Sequence, residues 1–164
     1  MTFQRRDAIR CLALGAIAAG CGGARAQSGH PADDYRMAAQ LFTAGRRDEA
    51  TYLFYLGQFR FRVYLLARPN LPPSGDRALF ASLSESVGRP INEWAYGDVP
   101  RLVSTLDRVI AAAASRDDPY TPRAQFPAAH AEALAGLQRL RSQTLAQRAF
   151  IHQQRERNGL PNRE

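Results

Sequence analysis

Residues 46–67 read RRDEATYLFYLGQFRFRVYLLA, and the spacing of the apolar residues in this segment predicts the fold class. Its large apolar side chains recur three or four residues apart, which is the period of an α-helix. They form two groups on opposite sides of that helix: Tyr52, Tyr55, Leu56, Phe59, Val63 and Leu66 within about 100° of arc, and Phe54, Phe61 and Leu65 on the other side. A helix that is apolar on two sides must be covered on both, so this segment predicts the central helix of a bundle.

The flanking sequence predicts further helices on either side of this one. Gly45 separates it from a preceding helix over 33–44, in which Asp33 and Asp34 are interpreted as the N-cap and a first-turn acid. Four later helices are predicted over 76–87, 90–96, 98–115 and 128–158, with Asp98 and Pro100 starting the third of them and Asn158-Gly159 ending the last. No segment alternates with the period of two expected of a strand, so the predicted class is all-α. We expect an irregular helical bundle with a long C-terminal helix, formed by one domain over 27–164.

The first 26 residues resemble a bacterial signal peptide. Arg5-Arg6 and Arg10 precede a short apolar stretch, residues 11–20, in an arrangement that resembles a twin-arginine export signal. Two cleavage sites compete. Ala24-Arg25-Ala26 predicts a soluble chain starting at Gln27, whereas residues 18–21 resemble a lipobox in which Cys21 is acylated and becomes the N-terminus. Either route predicts a periplasmic protein, and the membrane is reached only through a lipid anchor on Cys21.

The segment 34–62 resembles one helical hairpin of the tetratricopeptide family. The positions that carry the resemblance are Met37, Ala38, Leu41, Gly45, Ala50, Phe54 and Gly57. Small residues at 38, 50 and 57 would let two antiparallel helices approach closely. The sequence departs from the family pattern at Asp34, where the family has Trp, and at Arg62, where it has Pro. The resemblance implies a packing unit and protein binding, but a lone hairpin implies no particular function.

Charge and motifs argue against several functional classes. The net charge of +7 falls to +4 after residue 26, with 18 arginines against 14 acidic residues, which is weak for a nucleic-acid-binding protein. The chain carries no G-x-S-x-G, H-E-x-x-H or phosphate-binding glycine loop, so we expect no enzyme and no cofactor. His130 and His152 would lie about 33 Å apart along one helix, too far to share a metal.

Six residues are candidates for contact with a partner. Arg60 and Arg62 lie on the aromatic-rich helix, where they either bind a carboxylate ligand or pair with acidic residues of a neighbouring helix. Trp94 and Tyr96 lie in the mixed segment 92–98, which either binds a sugar or peptide or packs Trp94 into the core. Arg141 and Arg148 interrupt the apolar side of the last helix, where they face either a partner or solvent. Asp117-Asp118 is interpreted as the start of a turn.

These observations favour an exported, non-enzymatic helical protein that binds another protein of the cell envelope through the hairpin and the final helix. Two alternatives stay open at this point. One is an immunity or inhibitor protein that blocks a toxin or lytic enzyme in the periplasm. The other is an accessory protein of an envelope hydrolase or polysaccharide enzyme that uses the Trp94 region.

The export signal makes a prediction about the mature chain. Protein recovered from the periplasmic or membrane fraction of the native host should lack its first residues. Mass spectrometry should find either a chain starting at Gln27 or one starting at a diacylglyceryl-modified Cys21. A cytoplasmic chain that still begins at Met1 would contradict both routes.

Overall fold

The computed structural model describes residues 29–164, and within this range it contains helices and no strands. The predicted all-α class is therefore confirmed for the described part of the chain. The signal peptide, both cleavage sites and Cys21 lie outside the described residues. The seven helices are α1 (Ala32–Thr43), α2 (Arg47–Ala67), α3 (Asp76–Ser86), α4 (Gly88–Ala95), α5 (Val99–Ser115), α6 (Pro127–Ala146) and α7 (Arg148–Arg157).

The first two helices form an antiparallel pair. They are joined by a short turn at Gly45, whose φ of 79° lies in the left-handed region that glycine adopts without strain. Gly57, in the middle of α2, lies directly against Asp34 at the start of α1, and a Cβ built on Gly57 would be 2.6 Å from the Cβ of Asp34. Ala38 and Ala50 are fully buried. The small residues thus lie where the hairpin requires them, while the tetratricopeptide identification stays a prediction.

The second helix is the centre of the bundle, as its sequence predicts. It packs against α1, α3, α4, α5 and α6. Both of its apolar sides are buried, one through Tyr55 and Val63 and the other through Phe54 and Phe61. Leu66 differs from the prediction, because it remains 38% exposed although its sequence position belongs to the apolar side.

The start of α5 follows the predicted capping pattern. The Asp98 carboxylate accepts a hydrogen bond of 3.0 Å from the backbone N–H of Arg101, and Pro100 occupies the first turn. From this start α5 buries Leu102, Leu106 and Val109 in the core.

The C-terminal segment differs from the single helix predicted over 128–158. The backbone leaves helical geometry at Gln147 (φ −97°, ψ 12°), which separates α6 from α7. No glycine or proline marks this break in the sequence. Long-range contacts accompany it: Arg155 of α7 donates a hydrogen bond of 2.6 Å to the carbonyl of Glu93 in α4, and the N–H of Arg163 donates one of 2.6 Å to the carbonyl of Gly97. The chain therefore returns to the α4–α5 turn after α7.

The close approach at Gly57 predicts an unusual sign for a glycine-to-alanine substitution. In an ordinary helix this change stabilises by up to about 1 kcal/mol. In Gly57→Ala the new methyl group would collide with Asp34, and we expect destabilisation by about 1–3 kcal/mol. Gly136→Ala in α6 is the matched control, because its methyl group would meet only Arg139 Nη2 at 3.8 Å. Urea unfolding of both variants checks this, and equal effects would show that α1 and α2 do not cross tightly at residue 57.

Candidate functional site

Arg60 lies at the centre of a buried ion cluster. Its side chain is 6% exposed, and its Nη1 donates to Asp34 Oδ2 at 2.5 Å. Nε and Nη2 donate to the two carboxylate oxygens of Asp118 at 3.1 and 3.0 Å, a bidentate arrangement. Nη2 also donates to the carbonyl of Gly29 at 2.8 Å. Of the two interpretations of Arg60, the structure shows pairing with acidic residues of the same chain.

The electrostatics of this cluster follow from its burial. Burial raises the pKa of the Asp34 carboxyl, although Arg60 beside it acts in the opposite direction. Burial also acts to lower the pKa of the Arg60 guanidinium, but the hydrogen bonds and charges of the two aspartates outweigh it and raise that pKa. The guanidinium therefore remains charged between its carboxylates. Asp33 is not the predicted N-cap, because α1 begins after Pro31 with no side-chain cap. Asp34 lies in the first turn, as predicted, but it does not cap the helix. Its carboxylate turns inward instead.

His30 lies beside this ion cluster, in the short segment that precedes α1. Its ring packs edge-on against Phe61, Tyr64 and Tyr120, with centroid distances of 5.2–5.6 Å. Its Nε2 lies 3.5 Å from Asp76 Oδ1, and Tyr64 Oη donates to the other oxygen of Asp76 at 2.6 Å. Burial lowers the pKa of His30 more than the Asp76 carboxylate raises it, which favours the neutral ring. These groups hold the segment before α1 against α2.

The Asp117-Asp118 pair forms the predicted turn. Asp117 Oδ1 accepts hydrogen bonds from the backbone N–H groups of Asp118 and Arg123, at 3.0 and 2.8 Å. These bonds, the one from Arg123 above all, hold the pKa of the Asp117 carboxyl below its usual value. Asp118 Oδ1 accepts from the N–H of Tyr120 at 3.0 Å. Asp118 thus both shapes the turn and binds Arg60, and only the first role was predicted from its local sequence.

Arg62, by contrast, is exposed and borders an open groove. The groove runs along α2 between α3 and α6 and comprises two adjoining hollows of about 240 and 110 Å³. We refer to it as the α2–α6 groove. Phe80 of α3 forms one wall, and the Arg62 guanidinium lies over its ring at 5.8 Å. The groove is lined by Gln58, Phe59, Arg62, Leu65, Leu66, Phe80, Glu132, Ala133, Gly136, Leu137, Arg139 and Leu140.

Trp94 borders a second groove on another part of the surface. This hollow of about 320 Å³ lies between the start of α2, α4 and the returning C-terminus, and we refer to it as the Trp94 groove. Its lining residues are Phe42, Arg47, Pro90, Glu93, Trp94, Arg155, Leu160, Pro161 and Arg163. Trp94 is half-buried against the core, as one of its two interpretations predicted, and it also borders this groove. The binding of a sugar or peptide there stays a prediction.

Tyr96 does not line the Trp94 groove. It is half-buried against the core next to Tyr55. Burial is the main cause that raises the pKa of the Tyr55 hydroxyl, and the neighbouring Tyr96 raises it further. Tyr55 Oη donates a hydrogen bond of 2.8 Å to Asn92 Oδ1. The two aromatic residues of the segment 92–98 therefore lie in different places: Trp94 borders a groove, and Tyr96 packs between α2 and α4.

Arg141 and Arg148 both reach carboxylates of their own chain. Arg141 Nε and Nη2 donate to Asp107 of α5 at 2.9 and 3.1 Å, and Arg148 pairs with Glu164. Glu164 also accepts from the N–H of Val99 at 2.9 Å and lies 2.6 Å from Nε2 of His152. Both arginines were predicted to face either a partner or solvent, but the structure pairs them within the molecule, where they hold α6 to α5 and α7 to the C-terminus.

Two structural findings bear on other kinds of site. Across residues 29–164, no three histidine, cysteine or acidic side chains are grouped so that they could hold a metal ion. His130 instead lies 2.8 Å from the carbonyl of Thr121, where it is buried beneath the loop before α6. Over the same range, every helix is too short or too polar to cross a membrane.

Comparison of the chain with protein-family models, with curated proteins and with solved structures found no match. The two grooves are therefore the candidate binding sites. The sequence singled out Arg62 and Trp94, one on each groove. It did not indicate Arg155 and Arg163, because only the break at Gln147 and the return of the C-terminus bring them to Trp94.

The buried cluster predicts that Arg60 stabilises the fold. Arg60→Met would leave two buried carboxylates without their counter-ion, so we expect a loss of about 3–5 kcal/mol in the free energy of unfolding. Arg62→Met on the same helix is the matched control, and as an exposed change it should alter that free energy by less than about 0.5 kcal/mol. Urea unfolding followed by circular dichroism measures both. Similar midpoints for the two variants would contradict a structural role for the cluster.

Proposed function

We propose that this chain is an exported, non-enzymatic protein that binds another protein of the cell envelope, and that the α2–α6 groove is its binding surface. The observation that carries the proposal is the apolar floor of this groove. Leu66 is more than one-third exposed, although it belongs to the central helix of the bundle. An apolar patch with a charged rim is typical of a surface that a partner covers.

The position of the groove explains why its floor is uncovered. α3 and α6 both pack against α2, but they stand apart over the stretch 58–66. Gly136 of α6 has no side chain to fill the gap, and nothing but Arg139 Nη2 lies within 4 Å of where its Cβ would be. The gap follows about two turns of α2. The hollow is therefore elongated and parallel to a helix.

This shape favours a helical segment of the partner. An amphipathic helix places apolar residues three, four and seven apart into such a groove, where they pack between the flanking helices. The described part of the chain has no sheet edge that could accept an extended strand instead. Arg62 and Arg139 stand at the rim with the single acid Glu132, so the partner helix is expected to carry acidic residues beside its apolar ridge.

Export and the absence of enzymatic activity rest on the sequence. The twin-arginine-like leader supports a periplasmic location, and the lack of recognisable catalytic motifs supports a binding function. The intramolecular pairs of Arg60, Arg141 and Arg148 shift the proposed contact away from those residues. Of the arginines first considered, only Arg62 borders the binding surface.

Site-specific crosslinking tests the proposal. The full chain, carrying a photoreactive benzoylphenylalanine in place of Leu66, is expressed in the native host and irradiated in intact cells. We expect one crosslinked envelope protein, identified by mass spectrometry, whose attached peptide is an amphipathic helical segment. The same group at Ser104, exposed on α5 and on neither groove, should give no such product.

A second variant tests the groove itself. Gly136→Leu should fill the hollow and lower the yield of the crosslink from position 66 at least tenfold, with helical content unchanged. A crosslink that persists in Gly136→Leu, or that forms equally from position 104, would overturn the assignment of this groove.

A further inference from the structure

The Trp94 groove gathers arginines whose charges are not matched by carboxylates. Arg155 is 7% exposed, and its two terminal nitrogens donate to the backbone carbonyls of Glu93 and Pro161 at 2.6 and 2.8 Å. Its Nε is buried without a hydrogen-bond partner. Within residues 29–164, no carboxylate lies within ion-pair distance of this guanidinium. A nearly buried positive charge thus borders the groove, and its hydrogen-bond partners are two neutral carbonyl groups.

Arg163 is held beside Arg155 in a fixed orientation. Its guanidinium lies over the indole of Trp94, 4.0 Å from the ring centroid, and Nη2 donates to the Trp94 carbonyl. Its backbone N–H donates to the carbonyl of Gly97. Burial lowers the pKa of Arg163, and the nearby guanidinium groups of Arg155, Arg47 and Arg101 add to this effect, against the raising effect of Asp98. The positive charges at this groove therefore repel one another.

The third arginine of the lining, Arg47, lies over the ring of Phe42 at 5.4 Å. Among the described residues it makes no ion pair, whereas neighbouring Arg101 is paired with Asp48 at 2.9 Å. Glu93 is the single acidic side chain of the lining. Three arginines and one glutamate leave the groove positively charged, whereas Arg60, Arg141 and Arg148 elsewhere in the structure are each paired with carboxylates.

We propose that the Trp94 groove is a binding site for an acidic peptide segment, whose carboxylates pair with Arg47, Arg155 and Arg163 while an apolar side chain packs against Phe42 and Leu160. Planar guanidinium groups held in fixed orientations suit carboxylates, because each can donate two parallel hydrogen bonds. A carboxylate arriving at Arg155 would provide the counter-charge that the chain itself does not place there.

The aromatic arrangement favours a peptide over a sugar. A sugar ring would need a free face of Trp94 to pack on, but Arg163 covers one face of the indole and the side chain also packs against the core. The remaining walls are apolar and include Pro90, Leu160 and Pro161. They suit an apolar side chain between acidic residues. This site is separate from the α2–α6 groove, and its test does not depend on the function proposed there.

The composition provides a selective reporter for this site. Trp94 is the only tryptophan of the chain, so intrinsic tryptophan fluorescence observes this groove alone. The probe is a five-residue peptide with four glutamates around a central phenylalanine, titrated into the full chain at low ionic strength. We expect a saturable change in Trp94 emission and a rise in the thermal midpoint, because a ligand that binds only the folded state stabilises it. The same peptide with four glutamines should give neither.

Variants that remove one positive charge test which arginines bind the peptide. Arg47→Gln and Arg163→Gln should each weaken peptide binding at least tenfold, and 0.3 M salt should weaken binding to the unmodified protein. Arg139→Gln removes the same charge at the rim of the α2–α6 groove and should bind the peptide with unchanged affinity. This control also separates the two proposals, because it alters the other groove alone.

Three results would overturn the proposal. The first is the lack of a saturable change with the glutamate peptide in protein shown to be folded by circular dichroism. The second is equal weakening by Arg139→Gln, which would indicate attraction to overall charge or binding at the α2–α6 groove. The third is tighter binding of tetragalacturonate than of the peptide, which would assign the groove to an acidic sugar.

Discussion

The pairing of Arg60 with Asp34 and Asp118 fixes the arrangement of the elements around α2. It joins three parts of the chain that are distant in sequence: the start of α1, the middle of α2 and the loop over 116–126. A buried ion pair adds little net stability over a well-packed apolar contact, because both charges lose their water. Its geometry is nevertheless exacting, since a bidentate pair accepts few orientations. The cluster therefore specifies how α1 and the loop lie on α2.

The surface of the molecule follows from that arrangement. Fixing the loop over 116–126 sets where α6 begins, and α6 then runs beside α2 with a gap at Gly136. The break at Gln147 redirects the chain, so that the C-terminus returns to the α4–α5 turn and forms the Trp94 groove. The two grooves thus arise differently. One is a space that two neighbouring helices leave open, and the other is built by a returning segment.

Local patterns predicted the helices better than the contacts between them. The apolar spacing of α2, the turn at Gly45 and the Asp98 cap depend on residues close in sequence, and each appears in the structure as expected. Asp33 was wrongly predicted as the N-cap, and Asp34 was correctly placed in the first turn, but its pairing with Arg60 was not predicted because the two residues lie 26 positions apart. The break at Gln147 carries no local signal, because its neighbours all favour helix. The features that the sequence did not predict depend on contacts between residues that lie far apart in the sequence.

Arginine is the only basic residue type besides histidine in this chain, so its abundance alone indicates no ligand. The structure divides the arginines by their surroundings. Those at 60, 101, 141 and 148 meet carboxylates, and their charges are used in holding helices together. Those at 47, 155 and 163 meet aromatic rings and carbonyl groups beside one hollow. An aromatic face attracts a guanidinium and orients it, but it does not neutralise the positive charge. The charge at that hollow is therefore not matched by a carboxylate within the described residues, and it is the local environment of each arginine, and not the net charge of the protein, that distinguishes the two groups.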